Sequence, residues 1–287
     1  MRDSVSQPGS LDASARSIDL DAYCARIAYT GPREPTLATL RALQELHPAA
    51  IPFEAIDVLL GRGVDLAPAA VDAKLIGAGR GGYCFEQNGL FRRALNAIGF
   101  KVEGLTARVR WMQPAGAPPM PRTHMVLRVM IDGEPWLADV GFGGCVPTVP
   151  LRLNTDALQP SRHESFRIAR GAGTVIVEAQ RHDAWLPLYE VYPDPQLAID
   201  YEVANWFTAT HAESPFRRNL IAARTTPAAR YALLDNRLTA RKPGGDIEQR
   251  MLDADALETA LAEIFGLPVA PDWRPAIEAA VGRAAAG

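Results

Sequence analysis

Apolar positions along this chain repeat first at the spacing of a helix and then at that of a strand. Leu37, Leu40, Leu43 and Leu46 recur every three residues between Pro35 and Pro48, so the pattern predicts a helix punctuated by proline at both ends. Ile51-Pro52-Phe53-Glu54 reads as an extended connector, residues 69–76 as a second helix and 77–82 as a loop. Phe91, Leu95 and Ile98 recur at i, i+4 and i+7 and Gly99 follows, which predicts a helix over Cys84–Ile98 with a glycine stop. The first hundred residues are therefore mainly helical, behind a polar leader over 1–18 that is expected to be mobile.

From Lys101 the period shortens. Residues 102–111 alternate as a strand, and the loop over 113–122 carries four prolines, which exclude an interior strand. His124–Ile131 runs into Asp132-Gly133 and returns through residues 134–140; Asp-Gly between two apolar runs is a strong hairpin signal. Residues 164–168 and 174–178 form a second hairpin around Gly171-Ala172-Gly173, so about 100–195 should be an antiparallel sheet or small barrel. Residues 201–216 are aromatic and polar, a crossing or lid segment. Residues 231–241 turn at Asp235-Asn236, Leu257, Leu261, Ile264 and Phe265 give a helix stopped at Gly266, and 276–281 a short terminal helix.

The hairpin sets a geometric constraint. With Asp132-Gly133 as the turn, Ile131 faces Glu134, Val126 faces Asp139 and His124 faces Gly141. His124 and Asp139 are then diagonal neighbours on one face, about 7–8 Å apart at Cα, close enough for the imidazole Nδ1–H to reach the carboxylate. The opposite face, with Met125, Leu127, Val129, Ile131, Trp136 and Val140, is the more apolar and the better core face.

Composition narrows the classes. A length of 287 residues, 48% hydrophobic and 22% charged, suits a soluble globular protein with a sizeable core. A net charge of -3 with scattered Lys and Arg offers no field for nucleic acid or an anionic membrane. With no apolar leader and no apolar run long enough to span a bilayer, a cytoplasmic location is expected. The three cysteines, Cys24, Cys84 and Cys145, are odd in number and widely spaced, which argues against a disulfide framework and a zinc site; no metal is expected.

Cys84 differs from the other two. It opens a helix after Gly81-Gly82, where unpaired N–H groups and the helix dipole favour a thiolate. The glycines allow close backbone approach and φ values other residues avoid. A base beside the thiol and a third group orienting that base complete a nucleophilic site, and His124 with Asp139 is the pair the hairpin supplies. His47 ends a helix beside Pro48, and His163, His182 and His211 show no orienting partner.

Arg80-Gly81-Gly82-Tyr83-Cys84-Phe85-Glu86-Gln87-Asn88, Thr123-His124 and Trp136-Leu137-Ala138-Asp139-Val140-Gly141-Phe142-Gly143 closely resemble the arylamine N-acetyltransferases. Ile51-Pro52-Phe53-Glu54 and residues 205–216 resemble further pieces of that family, in the same order along the chain. The resemblance implies an α+β fold: an N-terminal helical bundle over 1–99, a central antiparallel β-barrel-like domain over 100–200, and an interdomain segment with a C-terminal α/β lid over 201–287. It implies a cysteine-protease-like triad with Cys84 as acyl-accepting nucleophile, His124 as base and Asp139 as its orienter. It also implies ping-pong transfer of acetyl from acetyl-coenzyme A, a co-substrate rather than a tightly bound cofactor, to an arylamine or arylhydrazine. Phe53, Tyr83 and Phe142 match positions lining the arylamine pocket; Thr123, Gly143 and Phe216 match segments of the coenzyme A cleft. A monomer or homodimer is expected.

The sequence departs from the family at Ala55, where asparagine is usual, and at Ala138, where valine or isoleucine is common; the loop over 113–122 is long. These leave the three triad residues intact and bear on the acceptor pocket. Two other activities use the same triad: a cysteine hydrolase with water as acceptor, and a macrolactam-forming amide synthase. A non-catalytic binding protein is disfavoured by the survival of all three residues.

Overall fold

The structure is a computed structural model that describes residues 18–114 and 116–285. The expected leader, apart from Ile18, lies outside the described residues. Helices α1 (Leu20–Arg26), α2 (Leu37–Ala50), α3 (Ile56–Leu59), α4 (Pro68–Asp72) and α5 (Cys84–Ile98) occupy the first hundred residues, with the short strand β1 (Phe53–Glu54) between α2 and α3. The helix expected over residues 69–76 is α4 followed by a π-helical turn, Ala73–Gly77. Helix α5 has the predicted bounds, and Gly99 ends it in the left-handed region at φ 104°.

Helix α2 does not stop at Pro48 but runs two residues further, to Ala50. A proline in the last turn forfeits one N–H bond, and Leu40, Leu43 and His47 are fully buried, so packing holds the turn together. The Ile51–Glu54 connector is in part a strand: Phe53 and Glu54 pair with β10 (Ile221–Thr225), a partner some 170 residues away that no local pattern could indicate.

Strands β2 (Lys101–Val109), β3 (His124–Ile131), β4 (Glu134–Ala138), β5 (Leu151–Arg152), β6 (Gln159–Pro160), β7 (Ser165–Arg170), β8 (Val175–Arg181) and β9 (Ala184–Val191) form one antiparallel sheet in the order β5-β4-β3-β2-β9-β8-β7-β6. β5 also approaches β7, so the sheet nearly closes into a barrel. The β3–β4 register is the predicted one, from Ile131 opposite Glu134 to Leu127 opposite Ala138. Asp132 and Gly133 turn at φ 52° and 80°, both positive as a tight Asp-Gly hairpin requires. β9 returns from β8 through His182-Asp183, a turn lacking the glycine that marks the other two hairpins.

The 201–216 segment overlaps helix α6 (Ala198–Thr210) and the single turn α7 (Pro215–Arg218), which together begin before it and end after it. β11 (Arg230–Leu234), β12 (Arg237–Arg241) and β13 (Ile247–Met251) join β1 and β10 in a five-stranded antiparallel sheet, and Asp235-Asn236 is the predicted turn. Helices α8 (Ala254–Glu263) and α9 (Arg274–Ala285) cover this sheet through Leu257, Leu261, Trp273 and Ile277. No helix among the described residues is long and apolar enough to cross a membrane.

Both faces of the β3–β4 hairpin are buried. Met125, Leu127, Val129 and Val140 pack against α5 in the helical core, as expected of the more apolar face. The His124 face is the barrel interior, shared with Leu105, Val126, Leu137 and Phe166. The hairpin wall therefore separates two cores, and His124 stands in the second, 2% exposed.

Candidate active site

The segment before Cys84 is fixed by close backbone packing. Gly82 N–H donates to the Pro52 carbonyl at 3.3 Å and Glu54 N–H donates to the Gly82 carbonyl at 3.1 Å. A Cβ on Gly81 would collide with the Pro52 carbonyl, and one on Gly82 would lie 2.7 Å from Glu86 Oε2. Neither glycine has a positive φ, so of the two properties expected of the pair only close approach is used.

Polar side chains tie this turn down. Glu86 Oε2 accepts the Tyr83 N–H at 2.9 Å, one of the helix-start donors without an intrahelical partner. Glu86 is held by Lys74 at 2.7 Å, which also pairs with Asp57 at 2.7 Å. Arg80 bridges Glu54 and Asp57 at 2.7 and 3.1 Å, and its guanidinium lies 4.7 Å from the Trp273 ring. At Ala55 the helix α3 has no capping side chain of its own; Glu54 Oε2 instead accepts the Ile56 N–H at 2.8 Å.

Gln87 donates to the carbonyls of Pro52 and Gly82 at 2.8 and 3.1 Å, and its Oε1 lies 2.6 Å from His47 Nε2. His47 Nδ1 lies 2.9 Å from the Tyr23 hydroxyl. His47 is thus an internal strut of the turn rather than a helix-end residue, and burial pulls its pKa down to about 4, so it stays neutral.

Cys84, 6% exposed, places its Sγ 3.5 Å from the Thr123 carbonyl oxygen, at the point where β3 begins. The next residue, His124, places Nε2 2.8 Å from Asp139 Oδ2. This corrects the expectation that Nδ1 meets the carboxylate: the diagonal between two strands is spanned by the outer ring nitrogen. Nδ1 is the ring nitrogen that the carboxylate leaves free, and the Cys84 sulfur is close enough to the ring to add to its raised pKa.

Burial pulls the imidazole pKa down, but the Asp139 carboxylate and then the Cys84 sulfur outweigh it and hold His124 up at about 10. Asp139 is fully buried. Burial raises its pKa, but the His124 ring, Asn88 and the Gly141 N–H together keep the carboxyl below its ordinary value. Its Oδ1 accepts from Asn88 Nδ2 at 2.9 Å and from Gly141 N–H at 2.8 Å, while Val140 N–H donates to Asn88 Oδ1 at 3.0 Å. Asn88 is four residues after Cys84, on the same face of α5, so one helix carries the thiol and clamps the carboxylate.

Gly141 lets the helix this close: a Cβ there would lie 2.8 Å from both the Cys84 Cα and Asn88 Nδ2. Tyr189, from β9, packs its ring 4.8 Å from the His124 ring. Gln44 donates to the Pro147 and Val149 carbonyls at 2.9 and 3.0 Å, fixing the chain that follows Asp139. Asn88 stands in the quoted motif and its i+4 spacing marks it; Tyr189 carries no local signal at all.

The aromatic residues fall in two groups. Phe216 packs 5.9 Å from Phe53 and 5.8 Å from Tyr83, so it joins the two rings expected in the amine pocket. Gly143, at φ 75°, lies against the Phe53 ring. Phe142 stands apart from them, 5.1 Å from the His124 ring and 4.8 Å from Tyr189. The Tyr83 hydroxyl donates to Asn205 of α6. A cleft of about 510 Å³ along the Phe85, Gly89 and Arg92 stripe of α5 includes none of Cys84, His124 and Asp139.

A sulfur at a helix start, against a buried imidazole whose other nitrogen is anchored on a carboxylate, is an arrangement suited to acyl transfer through a thioester. Residues 36–274 match the family profile described as N-acetyltransferase. The arylamine N-acetyltransferase of Mycobacterium tuberculosis strain H37Rv is 42% identical over 257 residues, 88% of this chain and 91% of that one. The solved structure of the M. tuberculosis arylamine N-acetyltransferase superposes with a TM-score of 0.87, covering 92% of this chain and 99% of that one. The Mycobacterium marinum arylamine N-acetyltransferase in complex with CoA, 39% identical, has the same TM-score and coverage. This chain belongs to the arylamine N-acetyltransferase family and is an acyltransferase.

Proposed function

We propose that the chain transfers acetyl from acetyl-coenzyme A to the nitrogen of an arylamine or arylhydrazine in two half-reactions, through an acetyl group carried on Cys84. The observation that carries this reading is the contact of His124 Nε2 with Asp139 at 2.8 Å, which leaves the other nitrogen for the sulfur. An imidazole held up at about 10 stays protonated at neutral pH, so it can sustain a thiolate beside it.

In the first half-reaction the Cys84 thiolate attacks the thioester carbonyl. The first turn of α5 supplies amide groups and the positive dipole end toward the developing oxyanion. The tetrahedral adduct collapses, the carbon–sulfur bond to coenzyme A breaks, and the departing thiolate takes the proton of the His124 imidazolium. His124 is now neutral. In the second half-reaction the amine nitrogen attacks acetyl-Cys84, His124 takes a proton from that nitrogen, and the Cys84 thiolate leaves, restoring the starting pair. Asp139 stays ionised throughout and fixes the ring so that Nδ1 serves both steps. Phe53, Tyr83 and Phe216 offer flat apolar walls that suit an aromatic amine, with Phe142 on the histidine side.

The test is the intact mass of the protein mixed with acetyl-coenzyme A alone. One added acetyl group, mapped to Cys84 and discharged by an aniline-type acceptor, is the expected result. No adduct, or an adduct that the amine does not remove, would overturn the reading.

A further inference from the structure

The cavity of about 510 Å³ beside α5 opens on a side of the helix that the triad does not use. Phe85, Gly89 and Arg92 line it at spacings of four and three residues, so they form one stripe along the helix. Each residue advances a helix by about 100°, which turns this stripe away from the one carrying Cys84 and Asn88. Leu66, Tyr201 of α6 and Met125 of β3 line it from other elements. Met125 follows His124 in the chain but belongs to the helical core, on the other side of the hairpin wall from the barrel interior. Phe85 and Tyr201 are buried in that same core and Leu66 packs against it, so the walls are largely apolar. The volume falls within the range of small-molecule sites, about 300–1,000 Å³.

Two features of the cavity are not explained by packing. Gly89 stands in the interior of the 15-residue helix α5, where glycine is a poor helix former. Close backbone approach accounts for Gly81, Gly82 and Gly141, but a Cβ on Gly89 would meet no atom within 4 Å among the described residues. Its missing side chain keeps the cavity open.

The second feature is half-buried Arg92, which makes no hydrogen bond or ion pair among the described residues. Its Nε is buried and has no partner. Arg93, also at the cavity, donates to Asp72 at 2.8 Å. The two carboxylates of the lining, Asp65 and Glu202, belong to exposed residues at the rim, and Asp65 accepts the Ala67 N–H at 2.8 Å. A buried donor without an acceptor is costly, so the cavity holds an unmet N–H beside apolar walls.

We propose that this cavity is a second ligand site, which binds an apolar monocarboxylate with its body along Phe85, Leu66 and Met125 and its carboxylate on Arg92. The guanidinium edge formed by Nε and one Nη pairs with both oxygens of a carboxylate in two parallel hydrogen bonds. Asp65 and Glu202 at the rim favour a single negative charge over a dianion such as phosphate. An aliphatic chain and a flat ring system both meet this chemistry, and the experiment separates them.

The test is isothermal titration calorimetry of the full chain with octanoate and with 2-naphthoate, before and after Cys84 is alkylated by iodoacetamide. One molecule of acid per chain, bound equally in both states, is the expected result, and the tighter acid assigns the site to chains or to rings. Arg92→Gln should weaken binding about tenfold through loss of the charge-assisted pair. Gly89→Leu should abolish it while the unfolding temperature stays at or above the parent's, because the new side chain enters open space from a helix. The neutral amide of whichever acid binds should also bind about tenfold more weakly, a comparison that stands even if Arg92→Gln fails to fold. Binding lost on alkylation of Cys84 would place the acid in the acyl-transfer site and overturn the proposal. So would binding of neither acid, an affinity unchanged in Arg92→Gln or Gly89→Leu, or an amide that binds as tightly as its acid.

Discussion

The substitution Asp139→Asn tests the mechanism through a constraint peculiar to this site. Asp139 Oδ1 accepts two hydrogen bonds, from Asn88 Nδ2 and the Gly141 N–H, while Oδ2 faces His124 Nε2. An asparagine has one acceptor oxygen and one donor nitrogen, and the two fixed donors require the oxygen on their side. Its NH2 group then points at His124 Nε2, which must become the acceptor, so the ring proton is driven to Nδ1. Nδ1 is the nitrogen the proposed mechanism uses toward Cys84, and once it carries the proton it can no longer take one from the thiol. The lost carboxylate also removes the charge that outweighs burial at His124. A shift from 6.5 to about 10 corresponds to roughly 5 kcal/mol, or between about three and four orders of magnitude in the protonation constant of the imidazole. The expected loss in acylation rate is therefore about 10³–10⁴-fold, in line with the same change in other triads. The assay is stopped-flow acylation by acetyl-coenzyme A, with the pH profile of Cys84 alkylation by iodoacetamide beside it. A variant that folds and acylates within tenfold of the parent, or keeps the parent's alkylation profile, would refute the role given to Asp139.

Gly141→Ala should lower stability by about 1–3 kcal/mol, because the new Cβ meets helix backbone that cannot yield; it should also lower kcat/KM by shifting Cys84 from His124. Unchanged thermal unfolding and turnover would contradict the contact. For His47, the folded pKa of about 4 lies below the ordinary 6.5, so the unfolded chain takes up a proton between those values that the folded chain refuses. The stabilisation is complete above pH 6.5 and is lost as pH falls toward 4, by up to roughly 3 kcal/mol. Urea unfolding of the parent and His47→Gln from pH 4 to 8 should show that the gap between them narrows on acidification; a constant gap would show that His47 is not buried and neutral.

Local pattern exposed much of this architecture. Helix α5 has the bounds its leucine and phenylalanine spacing predicts, because the 3.6-residue period and Gly99 act within the segment itself. The β3–β4 register followed from Asp132-Gly133, since a two-residue turn leaves one way to pair the strands. Other elements were illegible for physical reasons. Helix α2 runs past Pro48 because tertiary burial outweighs one lost hydrogen bond. β1 exists only through β10, and β9 turns on His182-Asp183, where a non-glycine residue takes φ 52°. Ala55 leaves α3 without a side-chain cap of its own, a role that passes to Glu54.

At the site, the sequence by itself determined that Cys84 opens a helix, that His124 and Asp139 share one face of a hairpin, and that both stretches resemble one family. Those are consequences of spacing along a single segment. Only the tertiary structure decided that the His124 face is the interior of a barrel, that Nε2 rather than Nδ1 meets Asp139, and that Asn88, Gly141 and Tyr189 complete the surroundings. The same holds for Leu66, Arg92 and Tyr201, far apart in the chain and brought to one cavity by packing. A ring's orientation and a buried charge's partners depend on what stands across the core, and that is set by packing between elements distant in the chain.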